Sequence, residues 1–238
     1  MGNRMRVSAS LLIATAWVLV VSVSVSAAPV VEHTGDTNPL TEGWSSLFGD
    51  GISVGPAGPP ASWAITGSAN GAGWYTWVPT SQHVADAMAD GWALEATVQA
   101  AAGGDTGSAA LWFAIPGIDR YVLNIESDGV TQTVNAVTYA YSWDTGSAFA
   151  SPAGPHAYRI RYDPQAATAD VFVDGVERIS NWGGDGYITT GGVNWGVGSG
   201  AAVGTGSYSH VAFTILPEPA SLTLLLVGGC AALWARRR

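Results

Sequence analysis

Between residues 43 and 216 the chain never runs far without a turn signal. Short segments rich in Val, Ile, Trp, Tyr and Thr alternate with clusters of Gly, Asp, Ser and Pro, roughly 8 to 15 residues apart, a spacing that suits strands and excludes long helices. The segments are Ile52–Val54, Trp63–Thr66, Trp74–Val78, Trp92–Ala100, Ser108–Ile115, Arg120–Ser127, Thr131–Tyr139, Ala157–Tyr162, Ala169–Val173, Val176–Ile179, Gly192–Val197 and Ser207–Leu216. Between two of them, Asp174-Gly175 is a two-residue hairpin signal that needs positive φ. Ser81–Asp90 is the exception: a serine cap, an alanine-rich interior and a stop at Gly91 predict one short helix. Strands in this number, with a single helix, predict an all-β fold: a two-sheet antiparallel jelly-roll sandwich.

The period-two alternation sorts inside from outside. Trp92, Leu94, Ala96 and Val98 point one way, and Glu95, Thr97 and Gln99 the other. Tyr121, Leu123 and Ile125 oppose Arg120, Asn124 and Glu126; Tyr158, Ile160 and Tyr162 oppose Arg159 and Arg161. Val211, Phe213 and Ile215 oppose His210 and Thr214. Strands with one polar face predict sheets with one solvated side.

Residues 28 to 216 amount to one domain, long enough to bury a core without staples. None are available, because the sole cysteine, Cys230, lies in the C-terminal segment; a disulfide framework and a cysteine-ligated metal are excluded. The chain has no lysine, and only Arg120, Arg159, Arg161 and Arg178 of its nine arginines fall in the body. A net charge of -9 and the lack of a basic stripe exclude nucleic acid as a partner.

Both ends read as targeting segments. Arg4 and Arg6, the apolar run Leu11 to Val25 and the small residues after it predict a signal peptide over 1–27, cleaved after Ala27. Residues 28–42 form a lead-in to the sandwich domain, 43–216. At the other end Pro217-Glu218-Pro219 stops the last strand, and the uncharged stretch 220–235 predicts a transmembrane helix followed by Arg236, Arg237 and Arg238 on the cytoplasmic side. Motif, span and basic end together resemble the PEP-CTERM sorting signal of bacterial surface and exopolysaccharide-associated proteins. The resemblance implies export through the inner membrane and anchoring in it by the C-terminal helix. It also implies processing by an exosortase-type enzyme, and delivery to the cell surface or extracellular matrix among extracellular polysaccharide.

A second resemblance rests on three segments. Gly91-Trp92-Ala-Leu-Glu-Ala-Thr-Val98 follows the short helix, Tyr121-Val-Leu-Asn-Ile125 comes next, and Tyr158-Arg-Ile-Arg-Tyr162 leads to Ala169-Asp-Val-Phe-Val-Asp-Gly175. They resemble the concanavalin A-like lectin/glucanase superfamily in its laminin-G-like form. That resemblance implies a jelly roll that either binds glycans or cleaves them. Glucanases of the superfamily carry Glu-x-Asp-x-Glu on one strand face, as a retaining mechanism requires. Here Glu126-Ser127-Asp128 is followed by Gly129 and Val130, so the acid/base glutamate is missing. There is no nucleophile elbow, and His33, His83, His156 and His210 are scattered without ligand spacing. The reading is therefore non-catalytic.

Nine tryptophans lie in the body, more than a core of this size needs. Trp92 and Trp195 occupy apolar-phase positions and belong inside. Trp112 is out of phase with Leu111 and Phe113, which would place it on a polar face with Asn124 and Glu126. A flat indole beside an amide and a carboxylate suits the C–H face of a sugar. Trp112, Asn124, Glu126, Glu95, Trp74 and Trp77 are the candidate carbohydrate-binding residues. Trp143 and Trp182 are placed in loops with Asp144 and Asp185; with Asp105 these two aspartates are the candidate ligands for calcium, the one cofactor the acidic loops suggest. The expected function is weak carbohydrate binding by an exported, non-enzymatic sandwich. A purely structural matrix protein and a glycoside hydrolase-like enzyme are the alternatives.

Overall fold

The computed structural model describes residues 27–68, 71–101, 109–115, 119–125, 129–134, 137–142, 154–184, 191–197 and 204–217. In chain order the strands are β1 (Val31–Thr34), β2 (Ser45–Phe48), β3 (Ser53–Ala57), β4 (Ser62–Thr66), β5 (Gly73–Trp77), β6 (Trp92–Ala101), β7 (Ala109–Ala114) and β8 (Arg120–Ile125). They continue with β9 (Gly129–Val134), β10 (Val137–Ser142), β11 (His156–Asp163), β12 (Thr168–Val173), β13 (Val176–Trp182), β14 (Gly192–Val197) and β15 (Thr205–Ile215). Helix α1 (Ser81–Asp90) separates β5 from β6. An eight-stranded sheet runs β13-β12-β11-β6-β15-β4-β3, with β1 beside the second half of β15; a seven-stranded sheet runs β10-β9-β8-β7-β14-β5-β2. Every pairing is antiparallel, and the two sheets face each other as a jelly-roll-like sandwich.

The alternation read from the sequence places side chains as expected in the long central strands. Trp92, Leu94, Ala96 and Val98 are buried, as are Tyr121, Leu123, Ile125, Tyr158, Ile160, Tyr162, Val211 and Phe213. The Asp174-Gly175 turn takes positive φ at both residues, 50° and 77°, and joins β12 to β13. Three expectations need correction. Thr131–Tyr139 is not one strand but parts of β9 and β10, an antiparallel pair whose turn carries no glycine signal. Trp182 is not in a loop: it ends β13, 2 % exposed, edge-on to Tyr121 at 5.3 Å. The helix is capped by Thr80, not serine; its hydroxyl accepts from the His83 N–H, and the His83 ring returns a contact to the Thr80 N–H.

The lead-in also contributes structure. Strand β1 pairs with β15 from Val31↔Phe213 to Thr34↔His210 and sends His33 into the core. The His33 imidazole lies 4.8 Å from Trp195 in a stacked arrangement, and its Nδ1 meets the Glu42 carboxylate at 2.6 Å. Strand β15 serves two partners on one edge because it is eleven residues long. A bulge at Ser209, against β6, lets both Tyr208 and Val211 face inward although they are three residues apart.

The expected transmembrane helix is corrected as well. Among the described residues no helix is long and apolar enough to cross a membrane, and α1 has ten residues. The stretch 220–235 has sixteen residues and contains Gly228-Gly229, so it falls short of the roughly 17 to 25 good helix formers that a span requires. The anchored C-terminus, the membrane partner and the localisation built on that helix are withdrawn with it; residues 218–238 lie outside the described residues.

Between the sheets sits an aromatic layer. Trp92 stacks on Tyr162 at 5.6 Å and meets Phe113 edge-on at 4.9 Å, while Phe113 and Phe213 are 4.8 Å apart. Further along, Trp195 lies 4.8 Å from both Tyr75 and Tyr208. The Tyr208 hydroxyl, from the eight-stranded sheet, donates to the Gly196 carbonyl and accepts from the Ala110 N–H, both in the seven-stranded sheet. Tyr208→Phe keeps the ring and orphans both backbone groups, so it is expected to cost about 1–3 kcal/mol in urea unfolding; an unchanged midpoint would contradict the cross-sheet bond.

Burial pushes the phenols of Tyr75, Tyr121, Tyr158, Tyr162 and Tyr208 up from 10.0. Their neutral forms are favoured in the folded state. The stability this contributes is complete below pH 10, where the unfolded phenols are protonated, and is lost as pH rises from there through the folded values. The thermal midpoint should therefore fall above about pH 10, with the phenolate absorbance of these five rising only as the protein unfolds; phenolate near pH 10 in folded protein beyond that of the three other tyrosines, Tyr139, Tyr141 and Tyr187, would contradict it.

Candidate functional site

The inner face of the seven-stranded sheet is filled by Leu111, Phe113, Tyr75, Val193 and Trp195. Large aromatics on its outer face therefore do no packing between the sheets. Two stand there. Trp112 on β7 lies opposite Val122 of β8 and Asn194 of β14, and Trp74 on β5 lies opposite Gly196 of β14. Their ring centroids are 4.4 Å apart with planes tilted by 32°. They meet across β14 because Gly196, opposite both Trp74 and Ala110, puts no side chain between them. None would fit: a Cβ at Gly196 would lie 2.0 Å from the Gly73 carbonyl oxygen.

Trp74 is 8 % exposed, while Trp112 is half-buried with no hydrogen-bond partner for its indole N–H. Polar groups surround the pair. Asn194 is buried beside Trp112 and donates from Nδ2 to the Gly192 carbonyl at 3.0 Å. Asn124, half-buried, lies opposite Ala110 on the neighbouring strand, one pleat away from Trp112.

The structure thus brings together Trp112, Trp74 and Asn124. It does not bring Trp77 or Glu95 to them. Trp77 packs on the His83 ring at 5.2 Å and on Phe213 at 6.0 Å, against the core. Glu95 stands on the outer face of the other sheet, paired with Arg159 at 2.9 Å. Glu126 and the candidate calcium ligands Asp105, Asp144 and Asp185 lie outside the described residues, as do Glu218, Pro219, Arg236, Arg237 and Arg238. Pro217, the last described residue, is exposed. Among the described residues no three His, Cys, Asp or Glu side chains converge as a metal site would require.

The outer face of the eight-stranded sheet is a feature that sequence reasoning missed. Arg159 and Arg161 of β11 both face outward there, with Phe172 of β12 opposite Arg159. Thr97, Glu95 and His210 complete the wall of a depression of about 370 Å³. The available signal was the Tyr-Arg-Ile-Arg-Tyr run, which sets two of the body's four arginines on one face.

No family model matches the chain, and no curated protein does. Solved structures match by shape. A carbohydrate esterase from the Shiga toxin-encoding bacteriophage phi24B superposes with a TM-score of 0.56 at 9% identity, over 81% of this chain and 100% of that one. The binding domain of botulinum neurotoxin DC, solved with rat synaptotagmin II, gives 0.53 at 9% identity over 84% of this chain. The same domain solved with SialylT gives 0.52 at 8%. The chain spans about half of each neurotoxin domain, 51%. At such identities the likeness shows the fold alone: an all-β, jelly-roll-like sandwich.

Proposed function

We propose that this sandwich is a non-catalytic carbohydrate-binding domain of the concanavalin A-like lectin/glucanase type, with its ligand against Trp112 on the outer face of the seven-stranded sheet. The observation that carries the reading is the Trp74–Trp112 pair, two indoles set where the core does not need them. Trp74 holds the ring of Trp112 from one side, which lowers the entropy lost when a sugar packs on the other. Asn124 supplies an amide at the edge of that platform, as glycan sites combine an aromatic face with a few polar groups. The names of two solved neighbours, a carbohydrate esterase and a toxin binding domain in complex with SialylT, support carbohydrate as the ligand class. The incomplete carboxylate pattern after Asp128 supports binding without hydrolysis. Export belongs to the same reading, supported by the leader-like pattern over 1–27.

A structural matrix role is the second reading, favoured by the burial of Val122 and Asn194 on the same face as Trp112. A glycan array on the purified protein separates the two. Binding to a defined glycan, weakened about tenfold by Trp112→Ala, is the expected result. A blank array on folded protein would favour the structural role, and a hit untouched by Trp112→Ala would move the site elsewhere.

A further inference from the structure

We propose a second binding site, on the outer face of the eight-stranded sheet, for pyranose sugars that carry a carboxylate. It goes beyond the Trp112 reading and does not rest on it.

The chain carries -9, with four arginines in its body, yet two of the four stand side by side on β11. Arg159 and Arg161 are both exposed and two residues apart, so they share one face. Arg159 is held by Glu95, its Nε 2.9 Å from Oε1, with both side chains about two-fifths exposed. A guanidinium carries five donors, and this contact uses one edge of the fork. Among the described residues Arg161 has no ion pair. Asp170 lies opposite it in register, but the Asp170 Oδ1 accepts the Asn181 N–H at 3.0 Å. Lining the depression are thus two guanidinium groups, one carboxylate and the His210 ring, which is itself engaged by Glu32 at 3.1 Å.

An aromatic ring completes the constellation. Phe172 faces outward from β12 directly opposite Arg159, half-buried, where it is not part of the core. A sugar ring packed on Phe172 would bring a ring-borne carboxylate toward the forked donors of Arg159 and Arg161, with Thr97 at the floor. The depression, about 370 Å³, is of a size for one or two sugar residues. Arg159 also borders two adjoining depressions along the same face, so a polymer has a path beyond the first residue. The solvated-face alternative accounts for the Arg159–Glu95 pair. It gives no reason for an unpaired arginine and an outward phenylalanine around one concavity.

Isothermal titration with trigalacturonic acid, its methyl ester and sialyllactose tests this on the full-length protein. The acid trimer should bind, at least tenfold tighter than the neutral ester, and its affinity should fall as salt rises. Sialyllactose distinguishes a terminal carboxylated sugar from a polymer of them; binding of either carboxylated probe supports the site. Arg161→Gln and Phe172→Leu should each weaken binding about tenfold without moving the unfolding midpoint, because neither residue belongs to the core. Trp112→Ala should leave it unchanged. The site is overturned if neither carboxylated probe binds, if the ester binds as well as the acid, or if Arg161→Gln has no effect. Loss of acid-trimer binding in Trp112→Ala alone would place that ligand on the other face and leave the first reading standing.

Discussion

Two sheets without a disulfide to join them depend on what meets between their inner faces. In this protein that is an aromatic layer. Trp92, Phe113, Phe213, Tyr121 and Tyr162 form one end of it, and Tyr75, Trp195 and Tyr208 the other. Flat rings in edge-on and offset contact fill space with little rotamer entropy to lose, and each buries a large apolar area. Some of their polar tips find partners, while the buried indole N–H groups of Trp92 and Trp195 have none among the described residues. Tyr208 spends its hydroxyl on backbone groups of the opposite sheet, and Trp63 donates to the Tyr75 hydroxyl at 2.9 Å. The ring layer therefore fixes the relative placement of the sheets as well as their contact.

The outer faces follow from this. Because the inward positions already fill the core, an aromatic in the opposite phase is free to do something else. Trp112 and Trp74 use Gly196 to meet on one outer face, and Phe172 stands among arginines on the other. The sandwich thereby offers two chemically different surfaces. One carries the indole pair beside Asn194 and Asn124, the other a hollow lined by two guanidinium groups in an otherwise acidic molecule.

The parts legible in the sequence are those governed by local pattern. β6, β8 and β11 are flanked on both edges and largely alternating, so the period-two reading placed their inward side chains, although Ala93 and Val122 on the outward phase are buried as well. β1 and β2 escaped notice because four residues carry too little pattern, and β1 is a strand only through its pairing with β15. Between β9 and β10 the sequence offers Asn135 as its one turn former, with no Gly, Asp or Pro beside it, so the division is weakly signalled. Trp112 could be assigned a face from its phase, but its contact with Trp74 could not. That contact depends on a missing side chain on a third strand, more than eighty residues along the chain from Trp112 (~80, a separation invisible to any local window). The arginine-lined hollow is nonlocal for the same reason: it draws on β6, β11, β12 and β15 together.

The account's central claim is that inward aromatics hold the fold and the outward pair does not. Unfolding free energies of Trp92→Ala and Trp112→Ala, measured side by side in urea, test it most directly. The account predicts a loss of about 3–5 kcal/mol for Trp92→Ala, as for a large buried ring, and under about 2 kcal/mol for Trp112→Ala, with the protein still folded. Equal losses would contradict it, because Trp112 would then be part of what holds the sandwich together.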